Sequence, residues 1–177
     1  MELTAAFPPA LAGDVRIVQA RLVPFEAERV LPLVPSVLLS TGTVTLPSRL
    51  YFQPPTSHDL SPTQRLILDC LYTRHHDGFL RQAHVDRVIV GGTEWCLPFV
   101  WTLLGEYVVE IVQQIGARLA TIDTQAYAAL LSRNPELVRL TRVRATSYWN
   151  AYFRHRAFPR FTDYPAAAIF ARFGVGG

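Results

Sequence analysis

The chain has 177 residues, half of them apolar, only 18% charged, with a formal net charge of +3; this excludes a disordered chain and is enough for one domain with a sizeable core. All seventeen basic residues are arginine, and ten of them lie in residues 1–133 against twelve acids, whereas residues 134–177 hold seven against only Glu136 and Asp163. The positive excess therefore belongs to the last quarter of the chain, and the overall balance is too weak to imply a polyanionic partner without asking where the charges lie.

Two cysteines, Cys70 and Cys96, exclude a disulfide framework, and both sit in apolar stretches where a thiol behaves as a small hydrophobe. The opening Met1-Glu2-Leu3-Thr4-Ala5-Ala6-Phe7-Pro8-Pro9 lacks the basic and apolar regions of an export signal. The longest apolar run, Cys96 to Leu104, falls well short of the ~20 residues of a bilayer span. A cytoplasmic protein that does not enter a membrane is the expectation.

Eight of the thirteen prolines (positions 8, 9, 24, 32, 35, 47, 54 and 55) fall in the first 55 residues, where they disfavour long regular helices. Residues 1–57 are expected to form an irregular Pro-rich N-terminal arm. Val15 to Val23 and Val44 to Phe52 have strand character that can make a short β-hairpin, and Phe25 to Leu31 can make two helical turns.

Residues 58–177 are expected to form a helical domain, because four of the five later prolines stand where helices can begin. Proline fits a first turn, whose N–H groups have no intrahelical partner, and Ser61, Asn134 and Asp163 are side-chain types that cap such donors. From Pro62, Leu66, Ile67, Cys70 and Leu71 recur on one face to about Arg74. Asp77 then caps a helix to about Val90, and Gly91-Gly92 stop it. A third, very apolar helix is predicted from Pro98 to about Leu119, with Thr102, Glu106, Glu110 and Gln113 on one narrow polar stripe. Further helices are predicted from Asp123 or Thr124 to Ser132, from Pro135 to about His155, and from Pro165 to Phe173. The fold class is mainly α: about three helical hairpins, six helices in all, as a compact bundle or a short array. The 36- and 37-residue spacings of Pro62, Pro98 and Pro135 approach those of helical-hairpin repeats, but only Ile67, Leu103 and Leu140 make a further shared aliphatic column.

Three constellations have residue types suited to chemistry. His75-His76-Asp77 places two imidazoles beside a carboxylate, the groups of a metal or general-base site, with His58 and His84 as the first further ligands to test. The competing reading puts the histidines at a helix C-terminus and Asp77 at the next N-cap. Glu106 and Glu110 lie one turn apart, as carboxylates sharing a cation or facing an arginine would. No nucleophile motif and no phosphate-binding glycine loop is present, so no catalytic residue and no cofactor are assigned.

The third is Arg139 to Arg160, where Arg139, Arg142, Arg144, Arg154, Arg156 and Arg160 interleave with Tyr148, Trp149, Tyr152, Phe153 and Phe158. Arginine forks and flat rings suit a protein hot spot or single-stranded nucleic acid. On a helix Val138, Thr141, Ala145, Tyr148 and Tyr152 make one stripe that can be core, leaving Arg142, Trp149 and Arg156 on another. The expected function is a non-enzymatic protein-interaction module, an adaptor or a subunit, binding another protein or a second copy through Arg139, Arg142, Trp149, Phe153, Arg154, Arg156 and Arg160. The alternatives are a small enzyme or metal-binding protein gathering His75, His76, Asp77, Glu106 and Glu110, and nucleic-acid binding through the Arg-aromatic segment.

Overall fold

A computed structural model describes residues 3–24, 36–55 and 59–175. The helix predicted over Phe25–Leu31, and His58, lie outside the described residues. The described chain is mainly helical, with eight α-helices and two small two-stranded sheets.

The N-terminal segment begins with two short 3-10 turns, Leu3–Ala6 and Pro9–Leu11, and continues into α1 (Ala12–Gln19), where strand character was expected. Val15 and Val18 are both buried, and at three residues apart they share a helix face; burial there outweighs the strand preference of their branched side chains. Val23–Pro24 (β1) follows, then β2 (Val37–Leu39) and β3 (Gly42–Val44), which form an antiparallel hairpin pairing Val37 with Val44. Gly42 makes the turn possible with φ +130°, a conformation that a side chain strains. β4 (Phe52–Gln53) pairs with β1. Leu3, Phe7, Val37, Leu39, Leu46, Leu50 and Phe52 from this segment are buried in one core with the helices.

α2 (Pro62–Tyr72) starts at a complete capping box, in which Ser61 and Gln64 satisfy each other's backbone N–H groups. α3 (Gly78–Gly91) starts at Asp77, whose carboxylate accepts from Phe79 N–H at 2.8 Å, and stops at Gly92, left-handed at φ 60°. The two helices approach closely at Gly91, where an added Cβ would lie 2.5 Å from a Leu66 methyl carbon.

The predicted helix from Pro98 to Leu119 is two helices, α4 (Leu97–Leu103) and α5 (Val109–Ala117). Every residue of α4 is buried. The break falls at Gly105-Glu106 because another helix, α7, crosses against it. A Cβ on Gly105 would stand 3.0 Å from the Arg144 Cβ and 3.2 Å from the Thr141 carbonyl oxygen. The expected polar stripe is split accordingly: Thr102 and Glu106 are buried, and Glu110 is exposed.

α6 (Thr124–Arg133) is capped by Asp123, which accepts from the Gln125 and Ala126 N–H groups. α7 (Pro135–Tyr148) continues into a wider π-helical turn, Trp149–Phe153, short of the predicted His155. α8 is Pro165–Arg172. Two predicted caps act otherwise. The Asn134 amide donates to the Leu38 and Leu130 carbonyls and accepts from Leu38 N–H at 2.7 Å, so it extends the edge of β2 instead of capping α7. Asp163 bonds Arg160, and no side chain caps α8. Packing joins α2 to α1 and α3, α3 to α5, α5 to α8, and α7 to α4 and α6. Among the described residues no helix is long and apolar enough to cross a membrane.

Candidate functional site

The Glu106 carboxylate, 1% exposed, is ringed by three arginines from three parts of the chain. Arg49 approaches at 3.0 Å from the segment before β4, Arg74 at 3.6 Å from the end of α2, and Arg81 at 3.6 Å from α3. Burial alone would push the Glu106 carboxyl up, but the charges of Arg74, Arg49 and Arg81 outweigh it and hold the group below its ordinary value. Burial lowers the Arg74 guanidinium to about 10, against the pull of Glu106, so it stays charged at neutral pH.

The arginines also hold backbone. Arg74 donates to the Pro47 and Ser48 carbonyls, and Arg81 to those of His75 and His76 at 2.7 and 2.8 Å. The Arg81 guanidinium lies over the Tyr107 ring, 5.5 Å from its centroid. Its buried Nε and Nη2 have no hydrogen-bond partner among the described residues, so cation–π and ion-pair attraction carry that side of the group. This cluster joins the N-terminal segment, α2, α3 and the α4–α5 break. It takes up one of the glutamates singled out from the sequence. The arginines were missed, although Arg81 lies four and seven residues before the buried Val85 and Val88, on the same helical face.

Of the side chains of the enzyme reading, the His75 and His76 rings lie side by side with centroids 4.3 Å apart, Glu106 is enclosed by its arginines and Glu110 is exposed. His75 is buried, its Nε2 donating to the Phe52 carbonyl at 2.8 Å and its Nδ1 accepting from Asp77 N–H at 3.0 Å. Burial moves its pKa down, the Phe52 bond opposing this in part. His76 stacks on Tyr51. Asp77 and Glu110 line a common cleft of about 380 Å³ with Tyr107 and the 84%-exposed Phe79. No group of three or more His, Cys, Asp or Glu among the described residues is arranged to hold a metal ion. Cys70 and Cys96 are buried free thiols with sulfurs 3.8 Å apart, and burial pushes the Cys70 thiol well up.

The basic aromatic segment divides between inside and outside. Leu137, Thr141 and Ala145 form the buried stripe of α7, whereas Val138 is only partly buried and Tyr152 is exposed. Trp149, Phe153, Phe158, Phe161 and Tyr164 pack on one another: Trp149 donates its indole N–H to the Phe158 carbonyl at 2.7 Å, and Phe153 stacks on Tyr164. Most of the rings thus fasten the chain end to α7.

On the outer side of α7 an open groove of about 820 Å³ is lined by Pro135, Val138, Val143, Trp149 and Val175, with Arg139 and Arg142 among the polar residues beside them. Val143 is 53% exposed. Arg139 pairs with Glu136, and Arg160 with Asp163. Arg154 lies over the Trp149 ring and bonds Asn150, while Arg156 is exposed. Three of the predicted contact residues, Arg139, Arg142 and Trp149, therefore line the groove; Phe153 is partly buried, and Arg154, Arg156 and Arg160 follow beyond it.

No family model matches the chain, and no curated protein and no solved structure matches it.

Proposed function

We propose that this chain is a non-enzymatic, cytoplasmic protein-interaction module, an adaptor or a subunit of a larger assembly, which binds a protein segment along α7. The observation that carries the proposal is the open groove in which half-exposed Val143 and the apolar Val138, Trp149 and Val175 stand beside Arg139 and Arg142. An apolar floor with arginine at its side is the composition of binding hot spots, and it suits a segment with apolar residues on one side and carboxylates on the other. Residues 134–177 reinforce that preference, since their seven arginines face only two acids. Pairs of packed helices supply the rigid support for this surface, a bundle of hairpins in which α6 and α7 form one unit.

A photo-crosslinking residue placed at Val143 tests the proposal in the native cell, with the same residue at exposed Phe79 as the control. The expected result is a discrete protein adduct from position 143 alone, abolished by Arg142→Glu. An adduct of twice the chain mass identifies the partner as a second copy. Adducts to nucleic acid only, or equal labelling from both positions, overturn the proposal.

A further inference from the structure

The face of the molecule formed by α2 and α3 holds a cleft of about 420 Å³ with a different chemistry. Its polar wall is Arg65, Asp69, His84 and Arg87; Leu60, Leu68, Tyr72 and Pro55 make the apolar remainder. The Asp69 side chain is 12% exposed and lies 2.5 Å from His84 Nδ1. The carboxylate accepts a hydrogen bond from Nδ1–H, beside which Arg87 Nη1 stands at 3.4 Å, and Nε2 is left for a ligand. His84 Nε2 has no partner among the described residues, and the ring is held face to face on Tyr72 with centroids 4.0 Å apart. Carboxylate and stacking partner together fix both the tautomer and the plane of the imidazole, as the support of a working histidine does.

The charges beside it are cationic on balance. Asp69 is the one carboxylate among the described residues lining the cleft, and Arg65 and Arg87 stand against it. Arg65 uses its Nε on the Leu60 carbonyl, and Arg87 reaches Asp69 at 3.5 Å with one terminal nitrogen while its side chain is 65% exposed. The remaining guanidinium N–H groups are donors for an anion. The site therefore offers an imidazole nitrogen and several guanidinium donors on one side and an apolar wall on the other.

We infer that the α2–α3 cleft binds a small phosphate monoester with an apolar body, the phosphate shared between His84 Nε2 and the guanidiniums of Arg65 and Arg87. A phosphate monoester is the oxyanion that fits both sides of the cleft. Its charge of about −1.5 to −2 and its three acceptor oxygens can meet two guanidiniums and an imidazole nitrogen at once. A carboxylate has a single charge and two oxygens to share among them. The cleft has the size of a small-molecule site, and the Tyr72, Leu60 and Leu68 wall suits an aromatic or aliphatic alcohol as the ester group.

Phenyl phosphate is the probe, titrated into the full chain while the His84 Cε1–H resonance is followed by NMR, assigned as the signal that His84→Gln removes. The expected result is a saturable shift, weakened at least about ten-fold by the double variant Arg65→Ala/Arg87→Ala, which alters exposed side chains and should leave the thermal transition cooperative. No saturation, or equal saturation in the double variant, overturns the site. Benzoate binding as tightly as phenyl phosphate overturns the phosphate assignment, and inorganic phosphate binding as tightly overturns the role of the apolar wall.

Discussion

Arginine serves two opposite purposes in this molecule, around Glu106 and along the outside of α7. Inside, Arg74 and Arg81 are almost wholly enclosed, and their forks hold the carbonyl oxygens of Pro47-Ser48 and of His75-His76 as well as a carboxylate. Outside, Arg139 and Arg160 reach carboxylates only three residues away, with most of their surface in water. Ion pairs of similar length thus differ in consequence. Removing one partner of an enclosed pair leaves the other charge uncompensated away from water, whereas a solvated pair gains little because water and salt replace either partner. The inner arginines tie segments of the fold together, and the outer ones lie mostly in water.

The largest effect should follow from emptying the inner cluster of its carboxylate. Glu106→Gln leaves three guanidiniums without their counter-charge and should destabilise the fold by about 3–5 kcal/mol, measured by urea unfolding. The same variant reports on acid. The Glu106 carboxyl is depressed from 4.5 in the fold, so its contribution is complete above pH 4.5 and is lost as pH falls through the folded value. Wild-type stability should therefore fall steeply below pH 4.5, and the Glu106→Gln curve should be flatter there.

A smaller effect is expected from Arg74→Lys, which keeps the charge and removes the fork. One ammonium cannot serve the Pro47 and Ser48 carbonyls, the Thr102 hydroxyl and Glu106 together. Leaving buried acceptors unpaired should cost about 1–3 kcal/mol in the same assay. A wild-type midpoint in this variant would break the distinction between the two regions, because charge alone would then suffice inside as well. The smallest effect is expected outside. Glu136→Gln breaks the exposed pair with Arg139 and should leave the urea midpoint unchanged in low and in molar salt; a salt-dependent loss would give the outer pairs an architectural role.

Local chemistry made much of the helical part legible. Ser61-Pro62, Asp77-Gly78, Gly91-Gly92 and Asp123 act at helix ends through neighbours within a few residues, so their effect is written in the nearby sequence. Asn134 and Asp163 looked the same but are claimed by other bonds, Asn134 by a strand 96 residues away. The break between α4 and α5 has a long-range origin as well, in the passage of α7 over Gly105. On α7, Arg142 and Trp149 were recognisable as one face from their seven-residue spacing, but the packing of Phe153 and Phe158 against Tyr164 was not. In the α2–α3 cleft the available signal was Asp69, a carboxylate between Leu68 and Cys70 in an otherwise apolar run, and its partner stands fifteen residues further on.

From the sequence by itself came the helical class, most helix starts and the concentration of positive charge in the last quarter, because periodicity, capping and composition act over a few residues. Tertiary structure decided which of the described arginines lie inside, where the central helix breaks, and that Asp69 meets His84. Each of those depends on which segments cross in space. A guanidinium is hydrated or enclosed according to its neighbours, and a charged residue in a helix reads the same in either state until the segments that cover it are in place.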